Sequence, residues 1–329
     1  MPGERQLSLT PALGLWAVLA LTAAFYGTWL GYGGRGFAIT LAILTMLLAG
    51  EILLAARGVR ERLTGLLGPR GGPLMALLLL PTLLLAYLIY ALGTNSFLWW
   101  RAALATAFIC APLVVLASAR EQPAGAWQDY LAMLLIWLPV KLHWLRPLWP
   151  YPNERLSYVL AMLLAINVAV AGFLLVRRLE GVGYTIAWGR GSGAAVGLNF
   201  ALAALILVPL GEAIGFLHFA PAYAQLKTLP LVTLTIFLFT AWPEEFLFRG
   251  LLQNSLSRTL GGTTRGWLAA SVLFGLAHIT NGNFPNWQYV LLAAIAGLLY
   301  GRAWRRTGSL FPSALVHMLV DVTWRFLFR

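Results

Sequence analysis

The stretch LPLVTLTIFLFTAWPEEFLFRGLLQ, residues 229–253, decides the fold. It is long and apolar enough to lie in a bilayer, which asks for roughly 20 apolar residues per helix. Yet it carries Glu244, Glu245 and Arg249. An ionisable group at membrane depth is costly, so its default reading is a functional site with a partner. Two further segments downstream repeat the pattern. One holds Phe274-x-x-x-His278 and the other His317-x-x-x-Asp321.

Outward from this stretch the whole chain has the same character. Its 329 residues are 60% hydrophobic and 10% charged, whereas a soluble domain is about half apolar and a quarter charged. The expected fold is an all-α polytopic transmembrane bundle of about ten helices. Candidate spans are 11–32, 37–56, 73–93, 98–118, 126–141, 157–176, 193–216, 229–253, 265–281 and 287–304, with a last one at 309–328. The segment 126–141 is the weakest, being short and ending in Pro139 and Lys141. The first apolar segment has no small-residue cleavage site before the next span and reads as a retained helix. Residues 1–156 form N-terminal helices without an assigned role, and 157–329 the segment that carries the ionisable motifs.

The net charge of +12 does not imply nucleic acid, because the arginines sit mostly between spans, where they orient a membrane protein. If 126–141 crosses, Arg57, Arg60, Arg62, Arg70, Arg177, Arg178, Arg190, Arg302, Arg305 and Arg306 share one side. Arg35, Arg101, Arg146, Arg155 and Lys227 fall on the sparser side. That arrangement puts the N-terminus in the cytoplasm. Trp99, Trp100, Trp144, Trp149 and Tyr151 suit the headgroup layer. The lone Cys110 excludes an internal disulfide and a cysteine-based metal site. Ala293, Gly297 and Gly301 recur every four residues, a spacing that lets helices approach closely.

The chemistry lies in the three motifs. Glu245 and Arg249 are four apart and can pair on one helical face. They read as a structural pair. Glu244 is turned about 100° away, so the two carboxylates have different jobs, and Glu244 is the candidate general base. Pro243 removes a backbone bond and kinks the helix, a feature tolerated where the backbone lines protein or a wet cavity. Phe274 shares a face with His278, the expected partner of Glu244. Asp321 shares a face with His317 and can orient it or act as a ligand itself. Glu244, His278 and His317 could hold a divalent metal such as zinc with an open water position. Without a metal, Glu244 and His278 would activate water and His317 would stabilise an oxyanion. The bland alternative is a polar lock that ties helices together.

The motifs Pro-Glu-Glu-Phe-Leu-Phe-Arg-Gly (243–250), Phe-Gly-Leu-Ala-His (274–278) and His-Met-Leu-Val-Asp (317–321), in this order, resemble the CAAX protease and bacteriocin-processing family. This is the type II CAAX prenyl endopeptidase, or Abi, group, and the resemblance covers roughly 229–328. It implies an intramembrane endopeptidase acting on a membrane-associated protein or peptide, embedded in the bacterial inner (plasma) membrane. It also implies a protease core over 157–329. By position Glu244 matches the water-activating Glu, His278 its partner, and His317 with residue 321 the oxyanion side. The prenyl-protease branch has Asn at that last position. An ionised Asp cannot donate a hydrogen bond, so Asp321 is expected to orient His317, to bind a cation or to be protonated in its apolar site. Two other readings stay open: a non-proteolytic immunity or interaction protein of the same fold, and an ion or proton transporter. Glu51, Glu212 and Asn199 are expected to hydrogen-bond neighbouring helices, and His143 and His218 to be solvated.

Overall fold

The computed structural model describes residues 5–66, 72–151 and 154–329. The chain divides into two compact units. One is Leu7–Glu180; the other is Gly181–Arg329 together with the strand Arg5–Gln6. The units thus part at 180/181, beyond the 156/157 boundary drawn from the sequence.

The first unit holds α1 (Leu9–Trp29), α2 (Gly34–Leu53), α3 (Val59–Leu66), α4 (Gly72–Gly93), α5 (Trp99–Ser118), α6 (Trp127–Lys141) and α7 (Glu154–Ala169). A π-helical turn, Val170–Val176, continues α7 and ends where the Arg177 N–H donates to the Gly172 carbonyl. The second unit holds α8 (Ser192–Ala213), then one long composite helix. That helix runs through α9 (Leu229–Ile236), a π turn (Phe237–Ala241), α10 (Trp242–Glu245), a second π turn (Phe246–Gln253) and α11 (Asn254–Thr259). It is followed by α12 (Thr263–Leu276), α13 (Trp287–Thr307) and α14 (Leu310–Leu327). A two-residue strand, Ala187–Trp188, pairs antiparallel with Arg5–Gln6. The fold is an all-α helical bundle.

Every expected span falls on a helix. Among the described residues, eight helices are long and apolar enough to cross a membrane. The others have physical reasons for falling short. The 15 residues of α6 and the 14 of α12 rise about 1.5 Å each, less than a bilayer core. The end of α13 carries Arg302, Arg305 and Arg306.

The charge pattern read from the sequence needs one correction. Arg177 is no free loop charge: it is buried, and its Nε bonds Asp129 Oδ1 at 2.8 Å. Its other nitrogens donate to the carbonyls of Arg120, Gln122 and Pro123. Asp129 in turn accepts from the Gly125 N–H at 2.9 Å. The ion pair fastens the start of α6 to the end of α7's π turn. Arg70 and the side chain of Arg155 lie outside the described residues, as do Pro152 and Asn153.

In the second unit the small residues of α13 set the packing. Ala293, Ala296, Gly297, Gly301 and Ala303 are all buried. A Cβ on Gly297 would stand 3.2–3.3 Å from the Phe274 ring, the Arg249 guanidinium and the Ser271 backbone. Glycine there admits α12 and Arg249 together. Asn199 on α8 bonds across to α13, its Oδ1 accepting from Arg302 Nη1 at 3.4 Å. Glu212, by contrast, is exposed at the end of α8, and so are His143 and His218.

Asp129→Ala leaves Arg177 buried without its counter-ion. Such a broken pair costs roughly 3–5 kcal/mol, so the melting point in detergent should fall clearly. Asp129→Ala combined with Arg177→Met should melt higher than Asp129→Ala alone.

Candidate active site

The composite helix carries the first motif at a point where its hydrogen bonding changes register. Pro243 has no N–H to give the preceding turn, and the π turn ahead of it absorbs the defect. Trp242 N–H there reaches back to the Phe237 carbonyl, a five-residue step. Single-turn π segments inside helices are frequent at functional sites. Here two of them bracket Trp242–Glu245.

Glu245 is the centre of the site. Its side chain is 0% exposed, as against 29% for Glu244. The Glu245 Oε1 atom pairs with Arg249 Nη1 at 3.1 Å and accepts from His317 Nδ1 at 2.9 Å. The Oε2 atom accepts from the Ser313 hydroxyl, which also lies 2.8 Å from the Tyr300 carbonyl oxygen. A buried carboxylate is tolerated when paired and hydrogen-bonded, and this one has a cation and two hydrogen-bond donors. Arg249 is equally enclosed. Its Nη2 donates to the Gly297 carbonyl at 3.2 Å, and its Cζ stands 4.3 Å from the Phe274 ring centroid. The aromatic face spreads a charge that would otherwise be stranded.

His317 is fixed on three sides. Tyr300 stacks on it at 4.5 Å and 16°, and Phe274 meets it edge-on at 5.7 Å. Glu245 holds Nδ1. A carboxylate only accepts, so this bond places a proton on Nδ1. Glu245 thus fixes the Nδ1 side of the ring. Asp321 instead approaches the other nitrogen, its Oδ2 lying 3.5 Å from Nε2. Glu244 Oε2 is 3.9 Å from the same Nε2. This oxygen is shielded from solvent and among the described residues has no hydrogen-bond partner. The inner nitrogen of His317 therefore faces the lock, and the outer one faces two partly exposed carboxylates.

His278 is placed differently. It stands just past the end of α12, in a turn rather than in the helix. Its Nδ1 lies 2.8 Å from the Phe274 carbonyl oxygen. A carbonyl also only accepts, so Nδ1 carries the proton and Nε2 keeps its lone pair. Phe274 and Tyr289 each pack on the ring at 4.8 Å. Among the described residues His278 makes no hydrogen bond or ion pair with Glu244 or His317.

The three expected metal ligands do not assemble into a metal centre. Among the described residues, no three His, Cys, Asp or Glu side chains gather closely enough to hold an ion. One nitrogen of each histidine is held, His317 by Glu245 and His278 by a carbonyl, which leaves the Nε2 atoms as the ones a ligand could meet.

Several members of the site were not read from the sequence. Ser313 lies one helical turn before His317 on α14. Tyr300 lies on the same α13 stripe as Ala293 and Gly297. Their spacing could have flagged both, but a serine and a tyrosine in apolar helices are ordinary packing residues until their partners are seen.

Residues 226–323 match the family model described as type II CAAX prenyl endopeptidase Rce1-like. The match takes in all three motifs. No curated protein and no solved structure matches the chain. The stretch 226–323 is an Rce1-like domain, in agreement with the resemblance of its motifs, and the Leu7–Glu180 unit lies outside it.

The two neighbouring carboxylates should separate in an unfolding experiment. Glu245→Ala strands the Arg249 charge and should cost roughly 3–5 kcal/mol. Glu244→Gln, at a partly exposed position, should cost less than about 1 kcal/mol. Thermal unfolding of both variants in the same detergent checks this.

Proposed function

From the Rce1-like domain at 226–323 we propose that this chain is an intramembrane endopeptidase. It hydrolyses a peptide bond of a membrane-associated protein or peptide, with water activated by side chains. The observation that carries the reading is the split at His317: one nitrogen locked to buried Glu245, the other held 3.9 Å from Glu244 and 3.5 Å from Asp321.

The roles follow from that split. Glu244 is the general base. Its unpartnered Oε2 takes a proton from the attacking water, and the same proton later passes to the leaving amine. His278 presents a neutral Nε2 that accepts a hydrogen bond from the same water. His317 stands over the tetrahedral intermediate with its Nε2 edge, and Glu245, Arg249, Ser313 and Tyr300 hold it there. Rigid support of this kind lets a site stabilise charge without reorganising at the moment of reaction. No metal is required by these roles.

A purely structural lock would need no exposed carboxylates beside it. Transport is less well supported, since the ionisable groups converge on one site and the sequence shows no clear internal repeat. The substrate is expected to reach the site from the bilayer of the inner (plasma) membrane.

Glu244→Gln should abolish cleavage while leaving the protein folded and equally abundant. The check is a proteome-wide comparison of new peptide termini in host membranes carrying either form. Termini that vanish with the substitution identify the substrates. Identical termini in both strains would sink the endopeptidase reading and favour an interaction protein.

A further inference from the structure

Peptide hydrolysis by this site requires a hydrogen-bond donor where the scissile carbonyl oxygen becomes negative. The motif residues supply few. Glu244 and Asp321, when ionised, only accept. Arg249 is wholly buried, its guanidinium turned to the Glu245 carboxylate and the Gly297 carbonyl. Ser313 spends its single proton between Glu245 and the Tyr300 carbonyl. A proton on His317 Nε2 is shared with the carboxylates 3.5 and 3.9 Å away.

Tyr289 is placed otherwise. It sits in the first turn of α13, half-buried. Its ring packs against His278 at 4.8 Å, Trp324 at 5.2 Å and Phe216 at 5.3 Å. The Asn281 side chain and the Asp321 and Glu244 carboxylates are the polar groups that act on its hydroxyl. The backbone is pinned as well. Asn286 Oδ1 accepts from the Tyr289 N–H at 3.0 Å and caps the helix, while Asn286 Nδ2 donates to the Asn281 carbonyl at 2.7 Å. A tyrosine hydroxyl both donates and accepts. With the Asn281 amide as donor, the phenolic proton remains for a second acceptor.

We propose that Tyr289 donates the hydrogen bond that stabilises the oxyanion at this site, with Asn281 and Asn286 as the positioning residues that hold it. The proposal rests on the endopeptidase reading and adds a catalytic residue to it. As the water oxygen bonds to the scissile carbon, Glu244 takes the water proton and the carbonyl electron pair moves onto oxygen. Tyr289 keeps its own proton and shares it with that oxygen. When the C–N bond breaks, the pair returns to re-form the carbonyl, and the proton on Glu244 goes to the leaving nitrogen.

Tyr289→Phe removes the hydroxyl and leaves the ring contacts in place. The readout is the rate at which Glu244-dependent termini accumulate in membranes with matched protein abundance. Removal of one oxyanion donor should slow that rate on the order of 10²-fold, with an unchanged melting point. Adding Asp321→Asn to Tyr289→Phe returns an amide donor to the cavity, and should recover at least about tenfold of the loss. A Tyr289→Phe rate within about threefold of the parent would overturn the proposal. A loss that Asp321→Asn leaves untouched would also overturn it, since the hydroxyl would then matter for something other than donation to that oxygen. Absence of any Glu244-dependent terminus would instead bring down the endopeptidase reading, and this proposal with it.

Discussion

The carboxylate of Glu245 has no exposure to solvent, and the second unit is arranged around the cost of keeping it charged there. It draws Arg249 from its own helix, and His317 and Ser313 from α14. Arg249 then needs its own shelter, which the Phe274 face and the Gly297 carbonyl provide. Gly297 has to be glycine for that approach, because a Cβ would press on the guanidinium. One buried charge thus accounts for the glycine at 297, the aromatic at 274 and the serine at 313. These groups are a polar lock, but one with a chemical face. Its outer edge is the second nitrogen of His317, beside Glu244 and Asp321.

Two adjacent glutamates end up in opposite environments through helix geometry alone. One residue's rotation turns Glu244 away from the direction Glu245 takes. The π turns on either side of Trp242–Glu245 make this possible near Pro243, because they absorb the donor that proline lacks. A regular helix through Pro243 would leave a carbonyl unsatisfied in an apolar setting. Local backbone irregularity and the placement of Glu244 are therefore one feature.

The sequence made the membrane-helical class legible, because long apolar runs with few charges have one stable solution in a bilayer. Pairing at i,i+4 made Glu245–Arg249 legible for the same reason of simple geometry. Contacts between helices were not readable in that way. That Glu245 on one helix holds His317 on another depends on how α10 meets α14, and no spacing within one helix encodes it. His278 lies past the end of α12, yet it meets Phe274 ring to ring at 4.8 Å as their spacing suggested. Arg177 misled by composition, since an arginine between apolar runs looks like a loop charge until Asp129 is seen beside it. Tyr289 carries no motif at all and emerges only from the groups around it.

The division of labour between Glu244 and Glu245 is tested most directly by chemical modification. A hydrophobic carbodiimide would be applied to the intact protein in its membrane, adducts mapped by mass spectrometry, and cleavage followed in parallel. Glu244, with 29% of its side chain exposed, should be modified, and cleavage should fall in step with its adduct. Glu245, fully enclosed by Arg249, His317 and Ser313, should remain unmodified until the protein unfolds. An adduct on Glu245 in the folded protein, or full modification of Glu244 with cleavage intact, would contradict the assignment.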